Sequence, residues 1–504
     1  MSTENIPLHE DSTTATSSIP RPELLPDHQL RITLRNPEEP EDYCSARERG
    51  AYLALERCLS GFKPREVISL IRASGLRGRG GAGFSTGEKW KVCAETAGSQ
   101  KWLICNAGEG DHDCHRVIEG MAIAAYAVGA SQGILYFRAE GAPVVARMKK
   151  ALDEARQQGF LGADIKGSGF SFDIAMHYGI GSFVCGEETA LIQYLEGNRC
   201  EPHVKQPFPA VRGYMGHPTL VNNIETFATV PAIINHGAEW FSSIGTDTCK
   251  GTKVLTLSGQ VKNESLIEVP FGITLREIIF TIGKGMKNGK FKAALIGGST
   301  GGVLTEQHLD LPFDYDMLEE AGVAMGPGSI QVLNENSCIP TLLKNNMEFA
   351  ADESCGKCTP CRIGTKRLYE VLDKITDARG TMDDLQELRN LAQVMHETSL
   401  CGLGRNAPNL ILNTIDVFWD ELVEHVTTHR CVAGQCKKMA TFSIDREKCI
   451  GCGLCMRNCP VAAITRTDYI APGHKLASMA IDLDKCVKCG TCKANCKFSA
   501  ISII

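Results

Sequence analysis

The sequence carries no large excess of charge of either sign. Its formal net charge is -6 over 504 residues, which gives no electrostatic reason to propose nucleic acid or an anionic membrane as a partner. It also lacks a long apolar run. The longest stretch, Met121–Phe137 (MAIAAYAVGASQGILYF), is interrupted by Gly, Ser and Gln and falls short of a bilayer span. It reads instead as a buried helix running into a strand. With no spanning segment, any link to a membrane needs another subunit. Met1 opens no secretory signal, and the 23 cysteines are odd in number and bunched at x2 spacings. A disulfide framework is therefore the poorer reading, and metal binding in a reducing cytoplasm the better one.

What is present is globular, with 43% hydrophobic residues, and 504 residues is too long for one core. Residues 1–40 are rich in Ser, Thr, Pro and Glu and read as a tail, disordered or laid on a partner. Residues 41–251 alternate apolar runs (Trp102–Cys105, Ile134–Phe137) with helical stretches (Val144–Ala155), which predicts an α/β unit with a largely parallel sheet. Residues 252–335 hold short β-rich runs around a single helix at Thr274–Ile282, a small α+β module. Residues 336–430 are mostly helical, with Leu368, Leu372 and Ile375 on one face, and read as a bundle. Residues 431–504 form a cysteine-dense segment with an internal repeat.

That repeat is the most specific signal. Cys449-x2-Cys452-x2-Cys455-x3-Cys459-Pro460 is the bacterial ferredoxin run, and Cys486-x2-Cys489-x2-Cys492-x3-Cys496 repeats it. Such spacing wraps three thiolates around one cubane while the fourth reaches the other cluster. Cys449, Cys452, Cys455 and Cys496 are thus expected to hold one [4Fe–4S], and Cys486, Cys489, Cys492 and Cys459 the second. A pair of zinc knuckles would need looser spacing. The second run has Lys497 where proline is usual, and Lys485, Lys488, Lys493 and Lys497 surround it. These are a solvated face or a docking patch for an acidic carrier.

A third run, Cys355-x2-Cys358-x2-Cys361 in ESCGKCTPC, lacks a nearby fourth cysteine. Cys401 in SLCGLG can supply it if two helices lie antiparallel, completing a third [4Fe–4S]. Cys431-x4-Cys436 is half of a structural zinc site, to be completed by His425, His429 or His474, or else two buried thiols. The nine other cysteines, Cys58, Cys105 and Cys249 among them, read as small buried side chains.

Upstream, Gly78, Gly80 and Gly83 of LRGRGGAGFSTGEKW match GxGxxG. The stretch before them, Arg65–Ala73, reads as a helix rather than a strand, so the ordinary dinucleotide motif fails. A glycine-rich loop still brings backbone N–H groups to a phosphate, with Arg79 and Lys89 adding positive charge. SFVCGEETALIQYLEG offers a turn into a helix headed by Glu187 and Glu188. Those acids are of the wrong sign for phosphate; they suit ribose or nicotinamide hydrogen bonds, or simply cap the helix. Asn222 and Asn223 of LVNNIETF can bond a flavin edge.

RGRGGAGFSTGEKW, GSFVCGEETALIQYLEG, KQPFPAVRGYMGHPTLVNNIET and ESCGKCTPC…SLCGLG, in this order, resemble the flavin- and NADH-binding subunit of respiratory complex I. With the ferredoxin tail, the chain is similar to the beta subunits of soluble NAD-linked hydrogenases and formate dehydrogenases, electron-bifurcating ones included. The resemblance covers Cys44 to Ile504. It implies FMN as cofactor, NAD(H) as substrate, a Rossmann-like FMN domain, a ubiquitin-like SLBB module at 252–335 and a four-helix iron–sulfur domain. It places FMN contacts on Gly78, Arg79, Gly80, Lys89, Asn106, Phe183, Gly186, Glu187, Asn222 and Asn223, with Gly81 and Gly83 in the same loop. Nicotinamide nucleotide contacts fall on Phe84, Glu188, Lys205 and Phe208.

The chain departs from the family where N-A-D-E-G-E-P-G is usual. Here Asn106 and Ala107 lead to Gly108, Glu109, Gly110 and Asp111, then His112-Asp113. The acid expected at the ribityl chain is Gly108, and a longer acid near the nicotinamide is shortened to Asp111. An aromatic that would stack adenine is Val92. A lost stacking partner or hydrogen bond costs on the order of 1 kcal/mol, which weakens binding without abolishing it.

The reading that follows is a cytoplasmic, NAD(H)-dependent FMN iron–sulfur oxidoreductase subunit. No side chain acts as acid or base, because the cofactor carries the chemistry. Expected partners are a small [2Fe–2S] subunit, a catalytic subunit (hydrogenase, formate dehydrogenase or other) and ferredoxin. The alternative is an electron-relay scaffold whose nucleotide site has decayed.

Overall fold

The computed structural model describes residues 30–34, 42–108, 112–138, 142–179 and 181–503. Glu109 and Asp111, and all of the tail except Leu30–Leu34, lie outside the described residues.

The first unit opens with helices α1 (Tyr43–Glu48), α2 (Leu53–Gly61), α3 (Pro64–Ala73) and α4 (Thr86–Glu95). Pro64 at the head of α3 confirms the helix read before the glycine loop. Strand β1 (Trp102–Ala107) leads to α5 (Cys114–Val128), β2 (Gln132–Arg138), α6 (Ala142–Gln157), β3 (Asp173–Gly179) and α7 (Glu188–Leu195). Then come β4 (Thr219–Asn223), α8 (Ile224–His236) and α9 (Ala238–Ser242). The strands form a parallel sheet ordered β3-β2-β1-β4. As read from the sequence, Met121–Phe137 is a buried helix that turns at Gly129, with φ +78°, into a strand. The register pairs Cys105 with Asn222 and Asn106 with Asn223, so three amides share the carboxyl edge of β1 and β4. Ligands of open parallel sheets bind outside that edge.

The second unit is a five-stranded sheet of β5 (Thr252–Gly259), β6 (Ser265–Pro270), β7 (Phe291–Ile296), β8 (Gly302–Thr305) and β9 (Ser329–Asn334), ordered β6-β5-β9-β7-β8. The helix expected at Thr274–Ile282 is wound as a π-helix over Glu277–Ile282, and α10 (Tyr315–Glu320) is a second, unforeseen helix. Side chains along β7 alternate between two cores. Ala294 and Ile296 pack on the π-helix side, with Ile278 and Ile282. Ala293 and Leu295 pack on the helices that follow.

Those helices are α11 (Ile339–Asp352), α12 (Thr359–Thr376), α13 (Met382–Thr398), α14 (Gly402–Asn406), α15 (Asn409–Ile415) and α16 (Trp419–Thr427). Leu368, Leu372 and Ile375 are buried at their centre, as their spacing predicted. The last segment has β10 (Phe442–Ile444), α17 (Leu454–Arg457), β11 (Ile464–Arg466), β12 (Met479–Ile481), α18 (Thr491–Ala494) and β13 (Ile501–Ile503). β10 pairs β13 and β11 pairs β12, both antiparallel, around the cysteines. Among the described residues no helix is long and apolar enough to cross a membrane.

Candidate functional site

The glycine loop closes on itself. Arg77 and Ser85 form a bridge, and Gly78 N–H donates to the Phe84 carbonyl at 2.8 Å. Gly81 and Gly83 have φ of +119° and +60°, which favours glycine. A Cβ on Gly80 would lie 3.2 Å from Asn223 Cβ, so a side chain there would fill the gap between loop and sheet edge. The second unit clasps the loop from behind. Tyr315 Oη donates to the Gly78 carbonyl at 3.0 Å, and Asp316 accepts from Arg77 at 2.8 Å. The Arg79 side chain does not supply charge to the loop surface. It is 1% exposed, its guanidinium donates to the carbonyls of Thr252, Arg77 and Lys250, and it lies over the Phe271 ring. Burial in this nest of carbonyls wins over projection into solvent, and its backbone N–H is engaged as well. Its N–H donates to Thr226 Oγ1.

Opposite the loop, Phe183–Gly186 make a short turn into α7. Glu187 Oε2 accepts from the Thr189 and Ala190 N–H groups at 3.0 Å each, so the acid caps the helix. Its Oε1 is buried without a hydrogen bond, with Lys205 Nζ 3.4 Å away. A buried acceptor left open in this way fits a sugar or ring N–H donor. Glu188 pairs with Lys89 at 2.7 Å and with Lys205 at 3.6 Å. Burial alone would raise its pKa; Lys89 and then Lys205 outweigh that and hold the carboxyl below the usual range. Asn106 Nδ2 donates to the Gly186 carbonyl at 3.2 Å. Asn222 Oδ1 accepts the Trp90 indole N–H, and Asn223 Oδ1 caps α8. Phe84 and Phe208 are 62% and 55% exposed, two aromatic faces open to a planar ligand, while Val92 on α4 is also exposed. The glycine cradle, the open Glu187 oxygen and the exposed rings together fit a flavin and a nucleotide.

The run Cys355–Cys361 adjoins this turn. Cys361 stands in the first turn of α12, and the α12–α13 hairpin returns the chain so that Cys401 heads α14. A Cβ on Gly404 would lie 2.9 Å from Cys361 Cβ, so glycine allows the close approach. Burial foremost, with the charge of Cys358, Cys401 and Cys355 adding, pushes the Cys361 thiol up to about 11. Iron bound to the thiolates would relieve that cost. The cysteine loop is latched to the first unit. Phe183 N–H donates to Glu353 at 2.7 Å, Arg199 to the Cys355 carbonyl at 2.9 Å, and Lys357 to the Pro202 carbonyl at 2.8 Å.

In the last segment two apolar cavities lie side by side. Cys449, Cys452, Cys455 and Cys496 line one, and Cys486, Cys489, Cys492 and Cys459 line the other. Each cavity thus groups three cysteines of one run with the fourth of the other, the grouping that the spacing predicted. Lys485, Lys493 and Lys497 are exposed, whereas Lys488 Nζ donates to the Lys438 carbonyl.

Cys431 and Cys436 meet His425 and also Cys338, which sequence spacing did not single out. The four ligand atoms lie within 4.8 Å of one another, all buried. His425 Nδ1 donates to the Glu421 carbonyl at 2.7 Å, which fixes the tautomer and turns Nε2 toward Cys338 at 3.3 Å. Cys338 and then Cys436 hold the Cys431 thiol far below its usual range. Of the other candidates, His429 is exposed and His474 meets the Cys449 carbonyl. Two cysteines read as scattered come together: Cys185, just before Gly186, lies with its sulfur against that of Cys200. Their spacing of fifteen residues carried no signal.

Glu225 and Thr226, just after the asparagines, were also not foreseen. Glu225 is bonded to the buried Lys253 and accepts Val254 N–H at 2.8 Å, tying α8 to β5 beneath the loop.

A glycine cradle at the carboxyl edge of a parallel sheet, latched to a cluster of thiols, is the arrangement of a flavin–iron–sulfur electron-transfer subunit. The sequence matches three family models: the Nuo51 FMN-binding domain over residues 71–232, the NADH-ubiquinone oxidoreductase-F iron-sulfur binding region over 341–425, and the 4Fe-4S dicluster domain over 448–500. The chain belongs to this family of FMN-binding, iron–sulfur oxidoreductase subunits. It is 50% identical over 455 residues to the NADP-reducing hydrogenase subunit HndC of Solidesulfovibrio fructosivorans, covering 87% of this chain and 92% of that one. It is 40% identical to an NADH-quinone oxidoreductase subunit of Rhizobium meliloti, covering 79% and 98%. A solved NAD+-reducing [NiFe]-hydrogenase in the H2-reduced state is similar with a TM-score of 0.67 and 32% identity, over 75% of this chain and 66% of that chain.

Proposed function

We propose that the chain is the NAD(H)-oxidising or -reducing flavin subunit of a soluble multisubunit oxidoreductase. When bound, FMN supplies hydride exchange with the nicotinamide and one-electron exchange with the clusters. The residues that would hold it are the backbone of Gly78–Gly83, with Lys89, Asn106, Phe183, Gly186, Glu187, Asn222 and Asn223. Phe84, Glu188, Lys205 and Phe208 orient the nucleotide, its rings packing on the two exposed phenylalanines. Cys355, Cys358, Cys361 and Cys401 would hold one [4Fe–4S], and the two tail sets one each.

The observation that carries the reading is the latch between Phe183 N–H and Glu353 at 2.7 Å. It fixes the turn beside the flavin cradle to the loop that carries Cys355. Electron transfer needs such a fixed, short path, and a nucleotide-binding module alone has no use for it.

The finer architecture follows the same reading: a Rossmann-like FMN domain over 41–251, a ubiquitin-like SLBB module over 252–335, a four-helix domain over 336–430 and a ferredoxin domain over 431–504. The tail read over 1–40 as disordered or laid on a partner is corrected at Leu30–Leu34, where Leu30 and Ile32 are buried in the first unit's core and Leu30 N–H donates to the Glu268 carbonyl. Cys338, His425, Cys431 and Cys436 are a structural zinc site, since three thiols and one imidazole close a tetrahedron without an open position. A small [2Fe–2S] subunit, a catalytic partner and ferredoxin complete a cytoplasmic complex.

Elemental and flavin analysis of the anaerobically purified full chain tests this. The reading expects one FMN, one zinc and about twelve iron atoms per chain. Iron without flavin would leave the relay scaffold as the reading.

A further inference from the structure

We propose that Arg138 meets the negative charge a flavin takes on when reduced, and that Gly108 leaves it free to do so. The inference rests on the flavin reading above. Arg138 is the last residue of β2, and Gly108 directly follows β1, its parallel neighbour, in which Ala107 pairs with Phe137. The two therefore sit side by side at the carboxyl edge of the sheet, beside Asn106. A Cβ built on Gly108 would lie 3.7 Å from Arg138 Nε and 3.9 Å from Cζ. An acidic side chain at 108 would reach the guanidinium and neutralise it; glycine puts nothing there.

Three other arginines of the unit are engaged elsewhere. Arg77 is paired with Asp316, Arg156 with Asp173, and Arg79 is sunk among carbonyls. Among the described residues no carboxylate or carbonyl bonds the half-buried Arg138. Its guanidinium stands 5.9 Å from the ring centroid of Phe183, the first residue of the turn leading to Glu187. Three described acids around this edge have other work: Glu353 accepts Phe183 N–H, Glu187 caps α7, and Glu188 is held by Lys89. Arg138 is thus a cation at this edge with no acidic partner among the described residues.

A hydride carries two electrons and one proton, so an oxidised ring that accepts it gains one negative charge, and the nicotinamide that gives it gains one positive charge. A fixed cation near a group favours its charged form by a factor of about ten to a thousand. Arginine keeps its charge throughout the working pH range. Arg138 therefore makes the reduced flavin bind more tightly than the oxidised one, and raises the flavin's reduction potential.

The experiment is a redox titration of the flavin in the full chain, with binding of oxidised and reduced FMN measured alongside. Three variants are compared: Arg138→Gln, Arg138→Lys and Gly108→Asp. The expected result is that Arg138→Gln and Gly108→Asp each lower the reduced-to-oxidised affinity ratio about tenfold or more and shift the potential downward. Arg138→Lys keeps the larger part. An unchanged potential in flavin-loaded Arg138→Gln and Gly108→Asp overturns the inference. So does an equal loss of affinity for both redox states, which would make Arg138 a phosphate anchor. Should Arg138→Gln fail to load flavin, Gly108→Asp, at an exposed position, decides alone. If the unmodified chain takes up no FMN, it is the flavin reading that falls.

Discussion

Lys89 Nζ and Glu188 Oε2 stand 2.7 Å apart, one on α4 behind the glycine loop and the other at the head of α7. The pair ties together the two walls of the proposed site. Both side chains are less than a quarter exposed, at 23% and 16%, so little water screens them. Lys89→Met leaves Glu188 with only the more distant Lys205, and should cost about 2 kcal/mol of stability at pH 7. The Glu188 carboxyl lies below its usual value in the folded chain, so its contribution is full above the ordinary carboxylate range. It is lost as pH falls through the folded value. The gap in Tm between the variant and the unmodified chain should therefore narrow as pH falls below about 4.

Glu119 behaves in the opposite sense. It is 1% exposed in α5, where Oε1 accepts Leu55 N–H at 3.1 Å, and burial drives its carboxyl up to about 7. The folded chain therefore takes up a proton that the unfolded chain releases near 4.5. The contribution is full below that unfolded value and is lost as pH rises through about 7. Glu119→Gln should flatten this part of the pH–stability curve and raise stability at pH 8 by up to about 3 kcal/mol. Denaturant titrations between pH 5 and 8 measure it.

The zinc proposal turns on Cys338. Cys338→Ser should lower zinc from about one atom per chain to near none, with iron unchanged. Metal analysis by mass spectrometry reads both. Full zinc retention in the variant would show that Cys431, Cys436 and His425 suffice.

In the tail, Cys496→Ala should remove the cluster held otherwise by Cys449, Cys452 and Cys455, and Cys459→Ala the other. Each variant should lose about four iron atoms or show the signal of a damaged cubane in electron paramagnetic resonance. If Cys496→Ala instead perturbs the cluster of its own run, the exchange of ligands is wrong.

Much of this was legible because it is local. The x2 spacings of Cys449–Cys455 and Cys486–Cys492 survive folding unchanged, and so do the periodic leucines of α12. The exchange of Cys459 and Cys496 was legible because the repeat implies it. Cys338 was not, since it precedes its partner His425 by 87 residues and only the packing of α11 on α16 joins them. Arg79 misled because charge beside glycines suggests phosphate, while its fate was set by the carbonyls of Arg77, Lys250 and Thr252. The π-wound turn at Glu277–Ile282 reflects tertiary packing on β7 that helix propensity does not encode.

The central claim is that the nucleotide site works and feeds the clusters. An anaerobic titration of the FMN-loaded, cluster-loaded full chain with NADH, followed by absorbance, tests it most directly. The account predicts that flavin and cluster absorption bleach together, despite Gly108 and Val92. A flavin that dithionite bleaches but neither NADH nor NADPH does would contradict it, and the chain would then be a relay between partner proteins.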